Sequence, residues 1–266
     1  MTAVRASPEL TAPVEDYLKA IFEIESAAAP PEAEAGGAAG TNEIAQALGI
    51  APASVTGMLH RLAEHGLISY ERYRGVRLTD DGRRAALRTI RRHRVIEAYL
   101  TKALGYPWDR VHEEAERLEH AASDQLIDRM ATAIGEPATD PHGAPIPTRG
   151  GTLDALPLQA LVDIPVGTAV RIRQVTDRDP EQLRYLADLG VTPGVKLRLL
   201  ARAPFGGPIT LRIEPEGRPS KRGGRRTVKT TRECAIGPSL AEQIFVAPIE
   251  EGSRTREARR RRRTSP

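Results

Sequence analysis

The sequence predicts a mainly α-helical protein with smaller β parts. Three observations carry this reading. Apolar residues recur at three- and four-residue spacing over much of residues 13–134. Two short alternating segments flank a glycine at position 75, and from residue 164 the pattern changes to short alternating runs broken by Gly and Pro. Helix, turn, helix and hairpin in that order make a winged helix-turn-helix, and the last β segments make a small barrel. The 266 residues, 40% hydrophobic and 28% charged, suffice for two or three small domains.

The first element is PVEDYLKAIFEIE at 13–25, with Val14, Tyr17, Leu18, Ile21 and Phe22 on one helical face. From Ser26 to Gly40 the chain is otherwise only Ala, Pro, Glu and Gly, a connecting loop. Thr41 or Asn42 is expected to cap a short helix bearing Ile44, Ala45 and Leu48, which Gly49 closes. Pro52 fits the first turn of a second helix reaching about Glu64, with Val55, Met58, Leu59 and Leu62 as its apolar stripe. Gly66 ends it, and ISYERY and VRLT form a hairpin whose tip carries Arg74 and Gly75.

A long helix is expected from Asp81 to about Ala103, with Leu87, Ile90, Val95, Ile96, Tyr99 and Leu100 inward, and a shorter helical pattern over 109–134. Residues 135–157, including PHGAPIPTRGG, read as a tether. TAVRIRQV, VKLRLLAR, ITLRIE and IFVAPI read as strands of the barrel. The expected domains are 1–80 (winged helix), 81–150 (helical), a linker at 151–163, 164–248 (β) and a basic tail at 249–266.

Formal charge is only +4, but arginine clusters at 72–94 and 218–232 and runs from Arg259 to Arg263. The helix from 53 to 64 is expected in a DNA major groove, with Ser54, Thr56 and His60 near bases or phosphates and Arg72, Arg74 and Arg77 on the backbone. Aromatic residues, 4% of the chain, weaken a model built on base-stacking platforms for single strands, and the winged helix with its arginines makes double-stranded DNA the expected partner. One cysteine, Cys234, excludes an internal disulfide framework and thiolate-rich zinc or iron–sulfur sites. With no apolar leader and no long apolar run, the expected setting is cytoplasmic, away from membranes.

The stretch VHEEAERLEH at 111–120 is the densest in chemistry. On a helix Glu116, Glu119 and His120 share a face, His112 lies one turn before Glu116, and His93 and Glu97 form another i, i+4 pair on the preceding helix. An exposed acidic face is the plain alternative. Glu113, Glu114, Glu116 and Glu119 repel one another unless cations answer them, and Arg117 cannot answer all four, whereas a divalent metal suits carboxylates with imidazole. His112 and Glu113 begin a metalloprotease-like H-E-x-x pattern, but its fifth position is Glu116 rather than His, so no enzyme is expected.

A winged helix followed by RRHRVIEAYL, VHEEAERLEHAASDQL, DPHGAPIP and a small β domain resembles the diphtheria toxin repressor family of metal-dependent transcription regulators. The resemblance implies a homodimer on palindromic operator DNA, a helical dimerisation and metal domain, and an SH3-like C-terminal domain. It implies a primary metal cluster of Asp16, Glu116, Glu119 and His120. It also implies an ancillary cluster of His93, Glu97 and His112, joined by Asp179 and Gln182 from the third domain. The iron-responsive branch carries Met and Cys where this chain has Asp16 and Glu116. Two carboxylates there resemble the manganese-responsive branch, so the cofactor expected is Mn²⁺, with Fe²⁺ as the alternative. Lys19 stands where two-domain manganese regulators have Glu, which speaks against a copied two-ion site and for a three-domain manganese regulator.

Overall fold

The computed structural model describes residues 10–28, 37–71, 74–154, 157–176, 179–214 and 231–249. The chain divides into two units, the first comprising Met1–Pro141 and Pro145–Ala155, the second His142–Ala144 and Leu156–Pro266. Arg72, much of the loop at 26–40 and nearly all of the basic tail lie outside the described residues.

The first unit opens with α1 (Ala12–Ala28), α2 (Thr41–Leu48), α3 (Pro52–Glu64) and the hairpin of β1 (Ile68–Glu71) and β2 (Gly75–Leu78). The long helix α4 (Asp80–Leu104) follows, then α5 (Val111–Leu118) and α6 (Asp124–Ala133). Apolar spacing on the first three helices buries Leu18, Ile21, Ile44, Val55, Leu59 and Leu62 in one core with Val76 of the hairpin and Ile90 of α4. The N-terminal half of α4 therefore belongs to the winged helix. Its C-terminal half supplies Val95, Ile96 and Leu100 to a second core with Val111, Ala115, Ile127 and Ala131. One continuous helix thus carries both cores of the unit.

Local signals set most boundaries. Gly49 closes α2 in the left-handed region at φ 65°, and Pro52 is the first residue of α3. Thr79 caps α4 by accepting from the Gly82 N–H. Glu25 of α1 accepts from the Leu78 N–H at 2.7 Å and from Arg83 at 2.9 Å, which ties α1 to the wing and to the start of α4.

Three sequence expectations need correction. The cap of α2 is Gly40 rather than Thr41 or Asn42, because Glu43 reaches back to the Gly40 N–H at 2.7 Å and satisfies it from inside the helix. The helical pattern over 109–134 is two helices. α5 stops at Leu118, and Ser123 caps α6 by accepting from the Leu126 N–H at 3.3 Å. Residues 135–157 are not simply a tether: Arg94 donates to the Pro145 carbonyl at 2.5 Å, and Arg91 to that of Pro147 at 2.9 Å. Side chains of α4 thereby satisfy two carbonyls of a strap that also pairs with itself, as the Ile146 N–H does with the Ala138 carbonyl at 2.9 Å.

The second unit is a six-stranded antiparallel sheet in the order β3 (Gln159–Ala160), β8 (Ile244–Pro248), β4 (Ala169–Val175), β5 (Lys196–Arg202), β6 (Ile209–Glu214) and β7 (Arg232–Ile236). This is the SH3-like domain. The helix α7 (Pro180–Leu189) connects β4 to β5 and buries Leu183 and Leu186. The sequence reading finds β4, β5, β6 and β8 but misses α7, because its apolar stripe spans barely three turns between two strands. It also misses β7, where RECAI has little alternation.

Candidate metal centre and nucleic-acid face

Four elements of the first unit bring the predicted ligands together: α1, α4, α5 and the turn after α5. Asp16 and Lys19 lie one turn apart on α1, and His93 and Glu97 one turn apart on α4. His112 and Glu116 stand on α5, whereas Glu119 caps that helix and His120 lies beyond its end. The single continuous face expected for Glu116, Glu119 and His120 is therefore interrupted at Glu119, and the turn swings His120 toward α1.

Two groups of donor atoms result, with Glu119 and His93 between them. Asp16, Glu119 and His120 each offer a ligand atom within 4.8 Å of the others, and so do His93, Glu97 and His112. His120 Nε2 lies 2.8 Å from Asp16 Oδ1 and 3.5 Å from Glu119 Oε1. His93 Nε2 lies 3.0 Å from Glu97 Oε1 and 3.1 Å from His112 Nδ1. His93 Nδ1 meets Glu119 Oε2 at 2.5 Å, so its ring joins the two groups. Glu116 departs from the expected primary four: its Oε1 turns to Lys19 at 2.6 Å, and it groups with His93 and Glu119 instead.

Two residues that sequence reasoning left out or used only as a contrast shape this centre. Glu15 accepts from His120 Nδ1 at 2.7 Å while its other oxygen accepts from Arg92 at 2.9 Å. That bond holds the ring so that Nε2 faces Asp16 and Glu119, the arrangement by which a carboxylate orients a metal-ligating imidazole. Lys19 Nζ donates to both oxygens of Glu119 at 3.1 Å as well as to Glu116. The four-glutamate repulsion read from the sequence is thus answered in part without metal. Arg117 pairs with Glu114 at 3.2 Å and approaches Glu113 at 4.0 Å, and Lys19 takes Glu116 and Glu119.

The electrostatics follow from burial. Burial pushes the Asp16 carboxyl up, against the attraction of His120. Burial opposes the charged form of His93, but its bonds to Glu119 and Glu97 win and push it up to about 10. The same contest, with Glu15 and Asp16 as the carboxylate side, raises His120. Lys19 is buried, yet Glu119 and Glu116 hold it above its ordinary value, and Lys19 in turn holds Glu116 below its own despite burial. The His93 Nδ1 proton belongs to the 2.5 Å bond with Glu119, so the 3.2 Å approach of Lys19 Nζ to the same nitrogen is a like-charge contact tolerated because carboxylates surround it. A centre rich in buried carboxylate and imidazole that holds protons and an ammonium has the donor chemistry of a hard divalent cation site.

Asp179 and Gln182 lie in the second unit. There Asp179 caps α7, accepting from the Glu181 and Gln182 N–H groups, and its second oxygen accepts from Gln182 Nε2 at 2.9 Å. Those N–H bonds hold the Asp179 carboxyl below its usual range.

On the winged helix, Ser54, Thr56 and His60 are exposed on α3, opposite Val55, Leu59 and Leu62, which are buried. His60 packs edge-on against Tyr70 of the hairpin, ring centroids 5.5 Å apart. Arg74 and Arg77 are exposed on the wing, with Arg74 bonded to Glu71 at 3.1 Å.

Known families cover this architecture domain by domain. Residues 9–76 match the iron dependent repressor N-terminal DNA binding domain, and 79–148 match its metal binding and dimerisation domain. Residues 159–248 match the FeoA domain. The iron-dependent repressor IdeR of Mycobacterium tuberculosis (strain ATCC 25618 / H37Rv) is 31% identical over 218 residues, 77% of this chain and 90% of that protein. The chain belongs to the diphtheria toxin repressor family of metal-dependent transcriptional regulators.

Within that family, relatives named for two metals stand close. The HTH-type transcriptional regulator MntR of Lysinibacillus sphaericus (strain C3-41) is 37% identical over 98 residues, 37% of this chain and 70% of that protein. A solved manganese-dependent transcriptional repressor in complex with manganese superposes with a TM-score of 0.77 at 34% identity, covering 90% of this chain and all of that one. Family members are DNA-binding transcriptional regulators. No helix among the described residues is long and apolar enough to cross a membrane.

Proposed function

We propose that this family member is a cytoplasmic, manganese-responsive repressor of metal-uptake genes, in which Mn²⁺ acts as corepressor. The observation that carries the reading is the donor set around Glu119. Asp16, Glu119 and His120, with Glu116 beside them on Lys19, offer carboxylate oxygen and imidazole nitrogen and no sulfur, and hard donors of this kind suit Mn²⁺. His93, Glu97 and His112 are a second group of the same chemistry. Asp179 and Gln182 are further oxygen donors in the SH3-like domain.

The placement of these ligands supports a switching role. Asp16 belongs to α1 of the winged helix, whereas Glu119 and His120 follow α5 of the helical part. A bound ion supplies a charge that both parts share. Asp16, Glu119 and His120 would then hold α1 in one position against the turn after α5, and in a homodimer this fixes the spacing of two α3 helices on a palindromic operator. Ser54, Thr56 and His60 would meet bases or phosphates, and Arg72, Arg74 and Arg77 the DNA backbone.

Anaerobic titration of Mn²⁺ and Fe²⁺ against operator DNA, at stated salt, tests the metal assignment. Stronger activation by Mn²⁺ than by Fe²⁺ is expected even though raw affinity follows the opposite order, and equal or stronger activation by Fe²⁺ would replace manganese by iron. In the same assay Glu119→Ala and His120→Ala should each abolish the loss of binding on chelation. A wild type whose DNA affinity does not respond to chelator, matched by both variants, would mean that the cluster is structural and the regulator metal-independent.

A further inference from the structure

Besides the two groups assigned above, His93, Glu116 and Glu119 form a third trio whose donor atoms lie within 4.8 Å of one another. By residue type alone it could hold a cation. The structure already places one there: Lys19 Nζ sits 2.6 Å from Glu116 Oε1, 3.1 Å from each oxygen of Glu119 and 3.2 Å from His93 Nδ1. Lys19 is only 9% exposed and Glu119 wholly buried, so this ammonium is not a surface group that drifts on and off. A buried ammonium is costly unless paired and hydrogen-bonded, and these carboxylates meet that need.

We infer that Lys19 is a tethered cation that permanently fills the His93–Glu116–Glu119 trio, so that a metal ion is admitted beside it at Asp16–Glu119–His120 but not as an adjacent pair sharing Glu119. Charge supports the inference. A second divalent ion in the trio would share its carboxylates with an ammonium already within hydrogen-bonding distance, and the two like charges would meet in a poorly screened interior. The ammonium also draws Glu116 and Glu119 together without metal, so the carboxylates do not have to be gathered when an ion arrives.

The inference rests on the metal-regulator reading for its setting but is tested by a difference. Purified full-length wild type, Lys19→Glu, Lys19→Ala and Lys19→Arg are dialysed against Mn²⁺, bound metal is counted by elemental analysis, and spin coupling between neighbouring ions is read by electron paramagnetic resonance. Lys19→Glu removes the ammonium and adds a ligand, and is expected to bind one more Mn²⁺ per chain than wild type, with the spectral broadening of a coupled pair. Lys19→Ala should gain the same ion at lower affinity, and Lys19→Arg should keep the wild-type count. Folded Lys19→Glu and Lys19→Ala proteins that gain no ion would overturn the inference. So would a coupled pair in wild type, which needs no variant to detect. A wild type that takes up no Mn²⁺ at all sinks the proposed function instead, while the count in the Lys19 variants still decides the role of Lys19.

Discussion

At the scale of single residues, the centre stores protons where an ion is proposed to sit, and this has a measurable sign. His93 in the folded, metal-free protein is raised from 6.5 to about 10 by Glu119 and Glu97, against burial. A raised imidazole contributes stability that is fully present below its unfolded value and is lost as pH rises through the folded one. The metal-free protein, kept so by chelator, should therefore show a falling melting temperature between pH 6.5 and about 10. His120, raised by Glu15 and Asp16, acts in the same direction. Cys234 also loses stability in alkali because burial raises its thiol, so the comparison that isolates the centre is with His93→Gln. That variant should melt lower than wild type at pH 6.5 and converge on it only as pH passes about 10. A constant difference across the range would show that His93 is not the titrating group.

At the scale of elements, the junction of wing and long helix carries a close approach that sequence reasoning could not see. Gly82, in the first turn of α4, faces the Leu67 carbonyl so closely that a Cβ would lie 1.9 Å from its oxygen. Glycine inside a helix usually costs about 1 kcal/mol against alanine, so an isolated-helix argument predicts that Gly82→Ala stabilises. Here the added methyl must push α4 away from the Leu67 backbone, and a loss of roughly 1–3 kcal/mol is expected instead. Chemical denaturation decides between the two signs. Much else at this scale was legible because it is local: Pro52 starting α3, Gly49 closing α2, and the hairpin around Gly75. The break after α5 was not, because Glu119, His120 and Ala121 carry no Gly or Pro to announce a turn; the Ala121 and Ala122 N–H groups both return to the Leu118 carbonyl there, and His120 pairs with Glu15 and Asp16 of α1. Lys19 was visible as an anomaly of type, and only tertiary contact showed that it answers Glu116 and Glu119.

At the scale of the whole first unit, α4 is shared by two hydrophobic cores, and α1 packs with the winged-helix core while bringing Asp16 to ligands that follow α5. An ion held by Asp16, Glu119 and His120 would therefore cross-link segments about a hundred residues apart in sequence, and its binding free energy would be added to the folded state. At a free concentration of about 100 times its dissociation constant, a ligand absent from the unfolded chain contributes about 2.7 kcal/mol. For a unit of this size that is a rise in melting temperature of roughly 5–10 °C. Differential scanning calorimetry with Mn²⁺ and then with excess chelator should show that shift and its reversal. Asp16→Ala should lose most of it, since this variant leaves Glu119 and His120 in place but removes the ligand from α1. A shift that survives in Asp16→Ala would place the stabilising ion at His93, Glu97 and His112, on α4 and α5 alone. The ion would then tighten the helical part without holding the winged helix, and α1 could not be the lever by which metal reaches the DNA-reading face.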